Sequence, residues 1–454
     1  MRLAILGGGG FRVPLVYGAL LRDTGRPRVE EVVLYDVSEE RLTAVGHVLA
    51  QLAAGYDDPP RVRVTTDLDD ALRDATFVFS AIRVGGLEGR TADERVALDL
   101  GILGQETIGP GGIAFGLRTI PVALHVAERV AVVAPRAWVI NFTNPAGMIT
   151  EAMQRVLGDR VVGICDSPVG LIRRAARSLG LDPARTAPDY VGLNHLGWLR
   201  GLSYGGRDVL PDLLADDTAL KLVEEARLFG PEWVRSLGAL PNEYLYYYYF
   251  TREAVAAIGG AAQTRGEALL QQQERFYSAV RREPEHALAE WQRARRERDA
   301  SYMAETRDTA QAGERDAADL SAGGYEGIAL ALMTTIARGG STTMILNVRN
   351  GSAVAGMPPE AVVEIPCVVD AGGVRPLATK PLPGQFLGLV QQVKAVEQLT
   401  IEAAVTGSAG VALRAFASHP LVDSVSVARL LLDGYRARIP ELASVLHPAP
   451  GAAR

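Results

Sequence analysis

The chain has 454 residues, enough for a large buried core and two closely joined lobes. Its 47 Lys+Arg against 53 Asp+Glu give a formal net charge of −6, which leaves no electrostatic footprint for nucleic acid; the Arg-rich stretch 293–298 also carries acids and reads as a solvated helix face. Only two cysteines occur, Cys165 and Cys367, no apolar run reaches the about 18 residues of a membrane span, and the start lacks the pattern of a signal peptide, so a cytoplasmic protein with neither disulfide scaffold nor membrane partner is expected.

In chain order, the apolar run Met1-Arg2-Leu3-Ala4-Ile5-Leu6 passes directly into Gly7-Gly8-Gly9-Gly10 and Phe11, and residues 13–21 have helical spacing. A strand, a glycine turn and a helix start let the backbone approach a pyrophosphate while the free amides favour its charge. The next strand, 31–35, ends in Asp36, where a carboxylate can accept hydrogen bonds from the adenosine ribose of NAD and disfavours the extra phosphate of NADP. The glycine pattern departs from the usual one, because Arg12 or Val13 stands where a third small residue is expected.

Alternation continues. Residues 61–66 and 76–82 read as strands, 91–100 and 117–134 as helices, and 137–142 and 161–165 as strands, which predicts a parallel, doubly wound sheet. Ligands of such sheets gather beyond the strands' carboxyl ends, where this sequence places Arg83 to Arg90, Thr143-Asn144-Pro145 and Asp166. Surface salt bridges for Arg83 and Arg90 and a turn or cap role for Asn144 are the bland alternatives; the repetition of polar residues at three strand ends favours a site. The polar, glycine-rich loop 104–112 contains Glu106, either functional or a capping acid.

After His195 the alternation fades. Helices are predicted over 212–229, 261–277, 285–300, 325–338, 386–405, 411–417 and 425–435, and strands over 341–348 and 362–369. The fold class expected is α/β, a Rossmann-type doubly wound sheet with a second, mixed α+β domain, divided as 1–166 and 167–454. The run Pro241-Asn242-Glu243-Tyr244-Leu245-Tyr246-Tyr247-Tyr248-Tyr249 reads on its own as packing or an interface. Cys165 and His195 read on spacing alone either as a buried thiol with a satisfied imidazole or as two ligands of an open divalent-metal site.

The motifs Gly104-Gln105-Glu106-Thr107, Asn141-Phe142-Thr143-Asn144-Pro145-Ala146, Gly163-Ile164-Cys165-Asp166-Ser167-Pro168 and Gly192-Leu193-Asn194-His195 resemble glycoside hydrolase family 4, the NAD- and metal-dependent glycosidases. The resemblance runs over nearly the whole chain and is greatest to the 6-phospho-glucosidases. It implies that NAD oxidises the sugar at C3, that a base removes the acidified C2 proton, and that the aglycone leaves before water adds and hydride returns. It further implies Cys165 and His195 as ligands of manganese or another divalent metal. Tyr244 would be the base, with Glu106 as its nearby proton acceptor, and Asp166 the leaving-group acid. Arg83, Arg90, Asn144 and Arg265 would contact a phosphorylated glucoside or disaccharide, and a homodimer or homotetramer is implied. Asp166 after the cysteine matches α-acting members, whereas residues 83–90 look like the β-acting pattern. The expectation is a 6-phospho-β-glucosidase, with the α-acting enzyme as the alternative and a malate- or lactate-type dehydrogenase as the remote one.

Overall fold

The computed structural model describes residues 1–302, 304–310, 312–313 and 324–446. Six short strands, β1 (Arg2–Leu6), β2 (Glu31–Tyr35), β3 (Arg61–Thr65), β4 (Phe77–Ser80), β5 (Trp138–Asn141) and β6 (Val161–Gly163), pair in parallel in the order β3-β2-β1-β4-β5-β6. The order reverses between β1 and β4, and that switch point is where a doubly wound sheet opens a crevice. Alternate side chains explain why both faces are covered: Leu3 and Ile5 enter one apolar cluster and Ala4 and Leu6 the other, all fully buried.

Beyond β6 the sheet continues. The strands β7 (Ala187–Leu193), β8 (Leu196–Tyr204), β9 (Arg207–Asp208), β10 (Leu240–Pro241), β11 (Thr342–Arg349), β12 (Val362–Asp370) and β13 (Gly373–Pro376) join the same sheet, which has 13 strands among the described residues, with β11 antiparallel to β6 through Asn347 and Gly163. The hairpin β7–β8, with the two-residue turn Asn194-His195, was not anticipated by the sequence reading. The expected helix over 212–229 is three short ones, Leu210–Ala215, Asp217–Leu222 and Glu224–Phe229. The helix expected from residue 117 instead begins at Gly109, its first turn made of Gly109, Pro110, Gly111 and Gly112. Close packing explains those glycines: a Cβ on Gly111 would lie 2.1 Å from the Gln105 carbonyl oxygen and one on Gly112 2.4 Å from that of Thr107.

The chain also returns on itself. Residues Val396, Ala403, Phe416, Leu431 and Tyr435, from the helices Gly384–Thr406, Ala409–Ser418 and Val425–Arg438, share one cluster with Ala4, Leu6, Val78 and Val139 of the parallel sheet. The last helices thus cover a face of the first strands.

Candidate active site

A cleft of about 630 Å³ lies at the carboxyl ends of β1, β4, β5 and β6. It is lined by Gly7, Gly10, Phe11, Arg83, Arg90, Glu106, Asn144, Cys165, Asp166, His195, Tyr244 and Arg265, so most residues singled out from the sequence meet in one place. Gly8, Gly9 and Asp36 lie outside the lining and shape it from behind. The Asp36 carboxylate accepts the Gly9 amide at 3.0 Å and the Ser38 amide at 3.1 Å, so the acid expected at a ribose also ties the glycine turn to the end of β2.

The turn itself suits a dinucleotide. Gly7 has φ +81°, and a Cβ there would sit 2.5 Å from the Ala81 carbonyl oxygen; a Cβ on Gly8 would meet Leu34 at 2.7 Å. The amides of Phe11 and Arg12 donate to nothing among the described residues, immediately before the helix α1 (Val13–Leu21). Two unspent donors at a helix start, on a backbone no side chain can crowd, fit a pyrophosphate.

Cys165 and His195 fit a divalent metal by the chemistry of their donors. His195 is held in the left-handed region at φ 63° as the second residue of the hairpin turn, a conformation that costs a non-glycine residue about 1–3 kcal/mol. Two contacts secure it: Nδ1 lies 3.0 Å from the Thr107 hydroxyl, and the ring stacks on Tyr244 with centroids 3.7 Å apart and planes 8° from parallel. Burial lowers its pKa to about 4, against the pull of Glu243 and Glu106, so the imidazole is neutral at pH 7, as a ligand must be. Burial, with the carboxylates of Glu364 and Asp166, pushes the Cys165 thiol up. A cation would offset those carboxylates and draw off that proton. Among the described residues no group of three or more His, Cys, Asp or Glu gathers as a metal cage; a cation held by Cys165 and His195 would keep positions open for substrate oxygens.

Tyr244 does not meet Glu106, the expected acceptor of its proton. Its hydroxyl lies 3.0 Å from that of Tyr302, which donates to Glu243 Oε1 at 2.8 Å; the Ser167 hydroxyl donates to the same oxygen at 3.0 Å. Burial, reinforced by Glu243, raises the Tyr244 phenol well above its ordinary value. Glu106 is instead ion-paired with Arg83 and, at 2.7 Å, with Arg90 Nη1. Burial alone would raise its pKa, but the two guanidinium groups overcome that and hold it well below the carboxylate range, so it is a poor proton acceptor. Its visible work is to fix two cations of the cleft.

Asp166 begins the helix Ser167–Ser178 without capping it. Burial raises its pKa, Arg12 opposes the rise and Glu243 adds to it. Asn144 Oδ1 accepts the Ala146 amide at 3.3 Å, the turn role foreseen as its alternative. Arg265 donates to the Ser301 hydroxyl at 2.9 Å and the Arg298 carbonyl at 3.2 Å. Arg298 corrects the reading of 293–298 as a solvated face: Arg293 and Arg296 are exposed, but Arg298 lines the cleft. Burial and its cationic neighbours Arg12, Arg265, Arg90 and Arg83 push its pKa well below the usual guanidinium value. Arg298 and these four neighbours, two of them paired with Glu106, offer guanidinium groups that suit a phosphate. The sequence carried no signal for Tyr302, Glu243 or Arg298, because each matters through a neighbour distant in the chain. The other tyrosines of the run pack as expected, Tyr246 and Tyr247 buried and Tyr249 accepting the Trp198 indole N–H at 3.1 Å.

The chain matches two family models, "Family 4 glycosyl hydrolase" over residues 2–181 and "Family 4 glycosyl hydrolase C-terminal domain" over 190–422. It is 33% identical over 444 residues to a probable 6-phospho-beta-glucosidase of Bacillus subtilis (strain 168), covering 95% of each chain. Among solved structures it resembles the 6-phospho-beta glucosidase of Thermotoga maritima with NAD and glucose-6-phosphate (TM-score 0.81, 28% identity, 97% of this chain and 99% of that one). It also resembles a 6-phospho-alpha-glucosidase from gut microorganisms in complex with NAD and Mn2+ (TM-score 0.79, 27% identity, 96% and 97%).

Proposed function

Because the chain belongs to glycoside hydrolase family 4, we propose that it hydrolyses 6-phospho-β-glucosides with NAD and a divalent metal, manganese first among the candidates. Relatives covering 95% of the chain are named for 6-phospho-glucosidase activity, and two solved structures of such enzymes hold NAD, one with Mn2+ and the other with glucose-6-phosphate. The observation that carries this reading is the convergence of the glycine turn, Cys165, His195 and Tyr244 in one cleft, with Tyr244 stacked on His195.

When bound, NAD supplies hydride transfer at the sugar C3 and the metal a Lewis acid beside it. Cys165 and His195 would hold the metal. Tyr244, its ring fixed on His195, would take the C2 proton as a phenolate, its own proton having passed through the Tyr302 hydroxyl to Glu243; oxidation of the neighbouring carbon would make that C2 proton acidic. Asp166, kept towards its protonated form by burial, gives a proton to the departing glycosidic oxygen. Arg83, Arg90 and Arg265 draw in the phosphate, Asn144 orients the sugar, and Glu106 keeps Arg83 and Arg90 in place. Residues 1–166 would hold the dinucleotide and lend Arg83, Arg90, Asn144, Cys165 and Asp166 to the site; 167–454 would complete it with His195, Tyr244 and Arg265 and make the contacts of a homodimer or homotetramer. Among the described residues no helix is long and apolar enough to cross a membrane, and both cysteines are unpaired and buried, which suits a reducing cytoplasm.

The test is turnover of 4-nitrophenyl 6-phospho-β-glucoside. Activity requires NAD and Mn2+ together and disappears in Cys165→Ala; activity that survives removal of both overturns the proposal, and net NADH accumulation on a plain alcohol would favour a dehydrogenase. A second reading, hydrolysis of the α-linked 6-phospho-glucosides, is favoured by Asp166 as a burial-raised acid next to the metal-ligand cysteine. The α- and β-nitrophenyl substrates compared at equal concentration decide between them.

A further inference from the structure

Four consecutive glycines make a costly cofactor loop, because such a backbone loses the most conformational freedom on being ordered. In this protein the loop is held from outside its own domain. The Tyr277 hydroxyl, on the helix Arg265–Arg282, donates to the Gly9 carbonyl at 2.7 Å. The Trp291 indole N–H, on the helix Ala287–Ala300, donates to the Phe11 carbonyl at 2.8 Å. The Tyr325 hydroxyl, at the start of the helix Tyr325–Arg338, donates to the Arg12 carbonyl at 3.1 Å. All three side chains are buried, and the Phe11 ring is boxed by Phe276 at 5.5 Å and Trp291 at 6.1 Å between centroids.

We propose that Tyr277, Trp291 and Tyr325 are positioning residues for the dinucleotide, setting the glycine turn in its binding conformation from the substrate-side half of the chain. The inference rests on the reading of NAD as cofactor. A trans peptide holds its N–H opposite its C=O, so pinning the Phe11 carbonyl to Trp291 aims the Arg12 amide away from that helix. The amides left without partners, Phe11 and Arg12, belong to the segment whose carbonyls are pinned. The aromatic donors therefore order the loop before the cofactor arrives, and binding no longer bears that cost. Phe11, next to the position where the third small residue is missing, turns its ring into the other half and anchors the loop there.

The experiment uses the full-length protein and the variants Tyr277→Phe, Trp291→Phe and the double variant. NAD affinity is measured by calorimetry, Mn2+ affinity by titration, and the melting temperature without ligand. Loss of a single hydrogen bond corresponds to about threefold to tenfold in affinity. Each single variant is expected to raise the NAD Kd by about that factor and the double variant by more than tenfold, with Mn2+ affinity kept. In turnover the KM for NAD rises while kcat at saturating NAD stays near the parent value. Tyr277→Phe removes one oxygen atom only, which keeps the test valid if the tryptophan variant folds poorly. A Tyr277→Phe protein with NAD Kd within twofold of the parent overturns the inference. So does a loss of NAD affinity matched by an equal loss of Mn2+ affinity, the mark of a general loosening. A parent protein that binds no NAD overturns the functional reading itself.

Discussion

His419 is 4% exposed, its Nδ1 accepts the Leu421 amide at 3.1 Å, and its ring lies near Tyr248. Burial lowers its pKa to about 3. The unfolded chain takes up this proton near pH 6.5 and the folded one resists it, so below that pH the unfolded state binds more protons. Stability therefore falls as pH drops from about 6.5 towards 3, by on the order of a few kcal/mol for a wholly buried imidazole. His419→Asn keeps a polar acceptor and removes the titration, and its urea midpoint is expected to change less between pH 7 and pH 4.5 than the parent's. Equal pH slopes for the two proteins would refute this. At this scale the sequence spoke through residue types. Cysteine, histidine and tyrosine within family motifs pointed to a cleft that does gather them, but the partners of Glu106 could not be read, because Arg83 and Arg90 reach it only once the helix Gly86–Leu98, which carries Arg90 and separates Arg83 from Glu106, has formed.

One helix carries a buried charge at a three-way junction. Lys394, on the helix Gly384–Thr406, gives Nζ to Glu151 Oε2 at 2.8 Å and is ion-paired with Glu397. Glu151, on the helix Ala146–Leu157, also accepts the Val362 amide of β12 at 2.9 Å. Burial alone would lower the lysine's pKa, but the two carboxylates outweigh it and raise it. Removing one member of a buried pair costs about 3–5 kcal/mol, whereas replacing both with apolar groups is often close to neutral. Lys394→Met, which strands Glu151 and Glu397, is thus expected to lower the denaturant midpoint sharply, and Glu151→Leu/Lys394→Met/Glu397→Leu to recover part of it; a triple variant no more stable than the single one would contradict this. Helices were legible wherever apolar residues recur at helical spacing, as over Tyr325–Arg338, whose predicted and observed bounds coincide. They were not legible where packing overrides propensity, as in the Gly109-Pro110-Gly111-Gly112 turn. The β7–β8 hairpin was missed because its turn holds Asn194 and His195 without the glycine that marks such turns.

Across the whole molecule, the parallel sheet was legible because strands buried on both faces run apolar and end in polar loops. Its continuation was not, because the β6–β11 pairing joins segments far apart in sequence. The same return of the chain makes the halves interdependent. Apolar residues of the last three long helices cover the face of β1, β4 and β5 that carries Ala4, Val78 and Val139. A fragment of residues 1–166 is therefore expected to aggregate or to lack a cooperative melting transition, while the intact chain melts in one step; a soluble, cooperatively folding fragment would show the opposite.

The shared sheet has a mechanical consequence. Many enzymes with two halves admit their ligands by swinging one half about a hinge. Here the dinucleotide crevice and the hairpin bearing His195 belong to one sheet, linked through β6, β11, β12 and β7 with the single pairs Gly163–Asn347 and Glu364–Gly192 at two of the joints, and a swing between them would break those pairs. Opening at the rim by side chains and loops leaves both pairs intact, so the spacing between the glycine turn and His195 is set by Gly163–Asn347 and Glu364–Gly192.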